Sequence, residues 1–280
     1  MKSVKERKSL VNHTSFGKPK AQLLNSIPSL GFGLDFKTFI KEWNKAEHVT
    51  VLIGAHVVKQ GLSPFINEWI KSGKVKHVCM NGATAIHDLE IGLIGKTSES
   101  VEHGLKTGCF GMWKETGNLL NNKISPVGLG FSLARRSRCL QHRNKSLLFH
   151  CYKQDITCSV HVAFGTDIVH MHPNFNPAII GKATHNDFLL LKDVLKTTDM
   201  VVLFGSAVIM PEVFLKALNL ARYEGSKNKP FVAVFDMQHQ YRAYNNIVAR
   251  TGLNGVFIIG SHELTIPLIH EVTKIGGRIK

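Results

Sequence analysis

A repeated alternation of short apolar runs, turns and helical segments is the feature that most restricts how this chain can fold. From residue 49 onward, a β-rich apolar run is followed by a turn that contains glycine or a polar cluster, and then by a segment with helical periodicity. Parallel strands joined through helices give an α/β sheet with helices on both faces, which is the fold class we predict. The predicted strands are Val49–Ile53, Val75–Met80, Ser159–Ala163, Val201–Phe204, Phe231–Phe235 and Val256–Ile259.

Turn and capping signals predict the helices between these strands. Ser63-Pro64 is typical of an N-cap followed by proline at the first helical position, and it predicts a helix through about Lys71. The stretch from about residue 98 to residue 152 is mostly helical by period. A polar and aromatic loop, Gly165–Gly181, is long enough to indicate function. Further helices are predicted near Ala85–Leu93, Asn186–Leu195, Pro211–Arg222 and Glu263–Lys274.

The chain length and hydrophobic content fit one α/β domain. The 280 residues, 44% of them hydrophobic, can bury a substantial core, and we predict a single domain over residues 27–280. Residues 1–26, which are rich in lysine, are predicted to form a loose basic N-terminal arm. The longest apolar runs are far shorter than the ~20 residues that cross a bilayer, and the N-terminus lacks the apolar centre of a secretory signal. We therefore expect a cytoplasmic protein without a transmembrane helix.

The cysteines and the net charge argue against several classes of protein. The five cysteines are odd in number and form no C-x-x-C pair, so they predict reduced thiols rather than a disulfide framework or a zinc knuckle. The formal charge of +15 would suit nucleic acid. Much of the excess lies in the N-terminal arm and in residues 135–145, with no recognisable nucleic-acid module around either. We interpret it as a solvated basic surface and predict no nucleic-acid or membrane partner.

The ends of the predicted strands supply the candidate ligand-binding residues, because ligands of open parallel sheets bind beyond the carboxyl ends of the strands. Several of these ends are small-residue turns that lead into a helix, where free backbone N–H groups favour phosphate. The chain contains neither a G-x-G-x-x-G fingerprint nor a Walker loop. A nucleotide is therefore predicted, without a conventional dinucleotide motif. The strand ends carry Gly54-Ala55-His56, Asn81-Gly82-Ala83, Gly165-Thr166-Asp167, Gly205-Ser206-Ala207, Asp236-Met237-Gln238-His239 and Gly260-Ser261-His262.

Five segments at these strand ends resemble the deoxyhypusine synthase superfamily, and more specifically a bacterial branch of deoxyhypusine-synthase-like proteins. The resemblance covers most of the chain from about residue 27 to residue 275. The segments are Gly54–Pro64 (GAHVVKQGLSP), Met80–Glu90 (MNGATAIHDLE), Gly165–Pro173 (GTDIVHMHP), Gly205–Ala217 (GSAVIMPEVFLKA) and Gly260–Glu263 (GSHE).

The resemblance implies a Rossmann-like sheet that binds NAD, in a homotetramer with active sites at subunit interfaces. True synthases of the superfamily use NAD to oxidise spermidine, and they pass its aminobutyl group through an imine on a lysine to a translation factor. The position expected for that lysine falls near Met210, and a thioether cannot form an imine. Lys216 lies further along the predicted helix and is a poor substitute. We therefore do not predict deoxyhypusine synthesis.

The pair His170-x-His172, with Asp167 before it and His185 after it, has the residue types of a divalent-metal site. On a strand, residues two apart point the same way, so both imidazoles could face one ion. Alternatively, these histidines hydrogen-bond the loop backbone or contact the phosphate and ribose of a ligand. No third ligand stands at a diagnostic spacing.

The remaining candidates each have a structural alternative. His87, Asp88 and Glu90 lie at the start of a predicted helix. Acidic residues there favour the helix dipole, so capping would explain Asp88. Alternatively, His87 or Asp88 faces the cleft and either moves a proton or binds a substrate amine. Asp236, at the end of a predicted strand, either holds ribose hydroxyls or serves as a helix cap. Ser261 suits an N-cap and His262 a ligand contact, and adjacent residues at a helix start do not face one another as a catalytic triad would require.

We therefore predict an NAD-binding enzyme that acts on a small amine or related metabolite by transient hydride removal. Two alternatives remain: a metal-dependent enzyme using Asp167, His170 and His172, and a non-catalytic nucleotide-binding regulatory protein. In the first interpretation, the nucleotide is held by Gly82, Ala83, Gly205, Ser206 and Asp236, and the residues nearest the chemistry are His87, Asp88, His172 and His262.

Overall fold

A six-stranded parallel sheet organises the protein. The computed structural model describes residues 1–7, 11–12 and 33–275. All six predicted strands are formed, with ends that differ from the prediction by at most two residues; the α/β, Rossmann-like prediction is thereby confirmed. The strands are β1 (Val49–Ile53), β2 (Val75–Asn81), β3 (Thr157–His161), β4 (Met200–Phe204), β5 (Phe231–Asp236) and β6 (Gly255–Ile259).

Helices cover both faces of this sheet. No helix in the described part of the chain is both long and apolar enough to cross a bilayer. The helices are α1 (Leu34–Lys45), α2 (Ala55–Lys59), α3 (Ser63–Lys71), α4 (Gly82–Ile94), α5 (Val101–Lys106), α6 (Lys114–Asn121), α7 (Leu129–Ser137), α8 (Leu147–Lys153), α9 (Pro177–Val194), α10 (Ile209–Tyr223), α11 (Tyr241–Ala243), which continues into a π-helical turn at Tyr244–Ala249, and α12 (His262–Ile275).

Alternating side chains of the central strands build a separate core on each face of the sheet. On β1, Val51 and Ile53 belong to the cluster that includes residues of α1, α3 and α4, whereas Leu52 belongs to the cluster with residues of α9 and α10. All three are fully buried. Burial of such a side chain is worth roughly 1.5–3 kcal/mol, so a shift of one residue in register would exchange the two faces at high cost.

The strand order determines where a ligand can bind. The order across the sheet is β3-β2-β1-β4-β5-β6, so the chain moves outward from β1 in one direction and, after β4, in the other. Loops that leave the carboxyl ends of β1 and β4 therefore diverge and open a crevice between them. We call this the reversal crevice; its floor is formed by the turns at Gly54 and Gly205.

Two local predictions are wrong. Ser63 is the first residue of α3 rather than its N-cap; Leu62 occupies the cap position, and the buried Ser63 hydroxyl has no partner among the described residues. The predicted loop after β3 is shorter than expected, because α9 already begins at Pro177. Asn176 caps that helix by accepting a hydrogen bond from the Ile179 amide. The pair Asn176-Pro177 is an N-cap followed by proline at the first helical position, and it would have predicted this earlier start.

The first seven residues pack against the domain instead of forming part of a loose arm. Val4 is fully buried, and its amide donates to the carboxylate of Glu115 on α6. Arg7 is only 4% exposed and reaches α4. The predicted boundary at residues 26 and 27 lies outside the described residues. The N-terminus is therefore, at its beginning, a structural part of the domain.

Candidate functional site

A cavity of about 220 Å³ lies beside the carboxyl ends of β2 and β3. We call it the polar cavity. Residues from five parts of the chain meet there: the N-terminal segment, the end of α2, the first three turns of α4, the stretch around α5, and the segment after β3. The polar lining residues are Arg7, Lys59, His87, Glu90, Ser98, Glu99, Thr166 and Asp167, and apolar ones include Ala83, Ile86, Val101, Phe110 and Ile168.

Asp167 reaches the start of α4 because residue 82 is glycine. A Cβ atom at Gly82 would lie 1.9 Å from Asp167 Oδ2, so any other side chain would displace the carboxylate. Asp167 caps the 3₁₀ helix Ile168–Met171, yet its Oδ2 atom is buried without a hydrogen-bond partner among the described residues. Burial raises the pKa of this carboxyl to about 6. Asp167 therefore offers a free, desolvated acceptor to a ligand.

A chain of hydrogen bonds fixes the tautomer of His87. Its Nδ1 lies 2.8 Å from Thr97 Oγ1, and the Thr97 hydroxyl donates to Glu90 Oε2 at 2.5 Å. Since that proton is committed to the carboxylate, Nδ1 must donate to Thr97, and Nε2 is left as the acceptor of the neutral ring. Burial lowers the pKa of His87 to about 4, and the nearby Glu90 offsets only part of this effect. The ring is thus a neutral proton acceptor.

Glu90 is held by a buried ion pair with the N-terminal segment. Arg7 donates through both terminal nitrogens to the two carboxylate oxygens, at 2.9 and 2.5 Å, and Thr116 adds a further donor at 2.8 Å. Both side chains of the ion pair are at most 3% exposed. Glu90 is therefore saturated with donors and serves to orient its neighbours rather than to bind a ligand.

A second group of candidate residues lies at the floor of the reversal crevice. A Cβ atom at Gly54 would lie 1.8 Å from the Gly205 carbonyl oxygen, so the two turns touch along their backbones. Gly205 has a φ of 59°, which favours glycine, and a Cβ there would lie 2.4 Å from His262 Nε2. His262 is fully buried, and neither ring nitrogen has a partner among the described residues. Burial, together with the smaller effect of the nearby His56, lowers the pKa of His262 to about 4.

Two other predicted nucleotide ligands also lie at this edge. Asp236 ends β5; burial raises the pKa of its carboxyl, and Oδ1 accepts a hydrogen bond from the Gln238 amide at 3.3 Å. Ser206 is buried, and its Oγ accepts from the Met210 amide at the start of α10. The predicted cofactor residues thus divide between two places: Gly82 and Ala83 lie beside the polar cavity, and the others at the reversal crevice.

Asp88 does not line the polar cavity. It is fully buried and accepts hydrogen bonds from the Ser146 hydroxyl and from the amides of Leu147 and Leu148, at 2.6, 2.7 and 3.1 Å. Its carboxylate therefore caps α8 and does not face the polar cavity. We no longer count Asp88 among the candidate catalytic residues.

The histidine pair lacks the geometry that a shared metal ion needs. Residues 168–171 form a 3₁₀ helix rather than a strand, so His170 and His172 point in different directions. His172 donates through Nε2 to the Gly111 carbonyl at 2.7 Å and packs against Gly117. His170 Nε2 lies 3.9 Å from Asp167 Oδ2. Among the described residues, no group of three or more His, Cys, Asp or Glu side chains is placed to hold a metal ion.

Sequence reasoning missed several residues of the polar cavity. Glu90 lies three residues after the predicted His87 on the same helix, so a shared face could have been inferred from spacing. Lys59 is the last residue of α2 and lies within Gly54–Pro64, one of the five segments that carry the family resemblance. Arg7 and Thr97 carried no sequence signal, because only the tertiary fold brings them to Glu90.

The fold and its two sites define a doubly wound parallel α/β protein with a ligand crevice at the reversal of strand order. More specifically, the chain has the deoxyhypusine-synthase-like fold. It is similar to a protein from Entamoeba histolytica assigned as a deoxyhypusine synthase, with a TM-score of 0.55 and 13% sequence identity over 96% of this chain and 98% of that chain. The sequence matches no protein-family model and no curated protein.

Two further solved structures share the fold. A LOR/SDH protein from Methanococcus maripaludis S2 has a TM-score of 0.56 and 13% identity over 95% of this chain and 71% of its own. AgrE, solved as a ternary complex with ornithine and NAD⁺, has a TM-score of 0.57 and 12% identity over 86% of this chain. The present chain spans 33% of the length of AgrE. A protein that binds NAD⁺ is thus among the proteins with this fold.

Proposed function

We propose that the protein is an NAD-binding enzyme that acts on a small amine by transient hydride removal. The observation that carries the proposal is the reversal of strand order between β1 and β4, with two touching glycine turns at its floor. In open parallel sheets this is where a dinucleotide binds. The polar cavity would hold the amine beside it, since α2 begins at the crevice with His56 nearby and ends at the cavity with Lys59.

The residues at the reversal crevice fit a dinucleotide. Gly205 lets the His262 ring pack directly against the turn, because the ring occupies the space that a Cβ atom would need. His262 offers two buried ring nitrogens that lack a partner among the described residues. Asp236 places a carboxylate at the same edge, as required to bind ribose hydroxyls. We propose that these residues hold the cofactor, which, when bound, supplies a hydride acceptor.

The polar cavity has the groups that oxidation of an amine requires. Asp167 Oδ2 would accept a hydrogen bond from the substrate ammonium and hold the reacting carbon in place. His87 Nε2, kept as an acceptor by Thr97, would take the proton that leaves the nitrogen as the hydride departs. Met210, at the position expected for the lysine of true synthases, is fully buried in the core. The proposal therefore does not include deoxyhypusine synthesis.

Binding of NAD can be tested with two matched glycine variants. NAD should raise the thermal unfolding temperature of the wild type, because a ligand selective for the folded state stabilises it. Gly205→Ala should weaken NAD binding at least tenfold, or about 1.4 kcal/mol. Gly225→Ala is the control, since Gly225 also has a positive φ, of 91°, but faces open space after α10. Equal NAD affinity in both variants, or no stabilisation of the wild type, would contradict the proposal.

Turnover separates an enzyme from a regulatory protein. Rapid mixing of the NAD-loaded protein with a panel of amines should give a transient absorbance of reduced nicotinamide. Binding of NAD without such a signal, and without any substrate-induced change in NAD affinity, would favour a non-catalytic nucleotide-binding protein. We also propose a cytoplasmic location and, as the resemblance implies, a homotetramer. The solution mass by light scattering tests the homotetramer.

A further inference from the structure

Among the described residues that line the polar cavity, Asp167 and Lys59 offer an anionic and a cationic group without an ion-pair partner at hydrogen-bonding distance. Asp167 Oδ2 and Ser98 Oγ are buried without hydrogen-bond partners among the described residues, and both residues line the cavity. Lys59 lines it as well and forms no ion pair with any described carboxylate. Its positive charge contributes to the lowered pKa of His87, which lines the same cavity.

Other charged groups of the lining are held by contacts within the protein. Arg7 and Glu90 neutralise each other in a buried, bidentate ion pair. Glu99 keeps its negative charge, but its Oε1 atom accepts from two neutral donors, the Gly111 amide at 3.0 Å and Trp113 Nε1 at 2.9 Å. Of the described lining residues, Asp167 therefore has a carboxylate oxygen without any donor, and Lys59 has no carboxylate partner.

Backbone strain marks the same wall. Ser98 has a φ of 69°, a left-handed conformation that costs a non-glycine residue roughly 1–2 kcal/mol. Its hydroxyl nevertheless stays buried and unpartnered. Strain of this kind persists where the surrounding structure enforces it, and it concentrates at ligand-binding sites.

We propose that the polar cavity binds a small α-amino acid, whose ammonium group contacts Asp167 and Ser98 and whose carboxylate contacts Lys59. The volume of about 220 Å³ is below that of sites for drug-sized ligands, which fits a compact metabolite. Ile86, Val101 and Phe110 would surround its side chain. This inference rests on the proposed function, because it names the substrate class of the same cavity.

Ligands with only one of the two charges match the cavity less well. An amine without a carboxylate leaves Lys59 facing an apolar chain or a second cation. A carboxylic acid without an amine leaves Asp167 desolvated and unpaired. Since an uncompensated charge in a closed site costs several kcal/mol, both should bind more weakly than the amino acid.

Matched ligand sets test this directly by isothermal titration calorimetry, with and without NAD. Valine is compared with isobutylamine and isovalerate, and leucine with isoamylamine and 4-methylpentanoate, so that each counterpart keeps only one of the two charges. The remaining standard amino acids are then screened. We expect at least one α-amino acid to bind, and at least tenfold more tightly than its decarboxylated and deaminated counterparts.

Two charge variants assign the contacts. Lys59→Gln should weaken amino-acid binding at least tenfold and leave the affinity of the matched amine unchanged, whereas Asp167→Asn should weaken both. Lys41→Gln and Asp35→Asn are the controls, because both residues are exposed on α1, which packs at the other end of the sheet against β6. Circular dichroism and thermal unfolding establish that each variant is folded.

The outcomes separate this inference from the proposed function. Amino-acid binding that depends on Lys59, without any binding of NAD, would support the inference and contradict the proposed function. NAD binding together with amines that bind as tightly as their amino acids would do the reverse. A folded wild-type protein that binds none of the amino acids, alone or with NAD, would overturn the inference.

Discussion

At the scale of single residues, the most informative feature is that hydrogen bonds assign a proton to one nitrogen of His87. Glu90 can only accept, so the direction of each bond from Thr97 outward is determined. The sequence alone allowed two functional roles for His87, which were to bind a substrate amine or to move a proton. Its contacts with Thr97 and its place in the cavity lining favour the second.

This tautomer is directly measurable. Nitrogen-15 NMR of the ring should show protonated Nδ1 and free Nε2, and the ring should stay neutral from about pH 8 to about pH 5, because burial lowers its pKa to about 4. Thr97→Val should abolish the preference for one tautomer. Thr107→Val serves as the control, since that hydroxyl donates only to carbonyl groups of α5. A ring protonated on Nε2 in the wild type would contradict the assignment.

At the scale of elements, one carboxylate joins two helices. Asp88 belongs to α4, yet the donors that it accepts from lie at the start of α8, 58 to 60 residues further along the chain. The position of Asp88 in sequence suggested a role at the start of its own helix. Long-range capping gives no sequence signal, because nothing near Asp88 in the sequence names its partner.

Removal of this cap should destabilise the protein without affecting the ligand sites. Asp88→Ala leaves two buried amides and a hydroxyl without an acceptor, and we expect a loss of roughly 2–4 kcal/mol in the free energy of unfolding. Asp193→Ala is the comparison, because its carboxylate is 56% exposed and its ion pairs with lysines are worth little. Urea unfolding gives both values. Equal, small losses would show that the Asp88 cap is not important for stability.

At the scale of the whole molecule, the N-terminus is tied to the candidate site. Arg7 crosses 83 residues of sequence to reach Glu90, whose other contacts orient Thr97 and His87. The first residues of the chain therefore help to build the wall of the polar cavity. Any change that detaches them should affect both stability and the arrangement of that wall.

A double-mutant cycle tests this link. Arg7→Met leaves Glu90 buried and unpaired, and such a loss typically costs 3–5 kcal/mol. Glu90→Leu alone strands the Arg7 charge in the same way. The double variant should be more stable than the sum of the two losses predicts, since no charge is left buried alone. Additive losses measured by denaturant unfolding would mean that the ion pair does not couple the N-terminus to the domain.

The sequence alone determined the class of fold and the edge of the sheet at which we propose that ligands bind. Each strand and most helices follow from hydrophobic periodicity and from local turn chemistry, and these signals lie within a few residues of the elements that they specify. The helix starts at Ser63 and Pro177 differ from the prediction, because Leu62 and Asn176 occupy the cap positions.

The tertiary structure alone decided which of the polar residues act together. It joined His87 to Thr97, Glu90 and Arg7, turned Asp88 away to α8, and separated His170 from His172. These outcomes depend on contacts between distant segments, where burial makes every unpaired polar group costly and leaves few arrangements that satisfy them all. Periodicity carries no information about such partners, so the site required the fold.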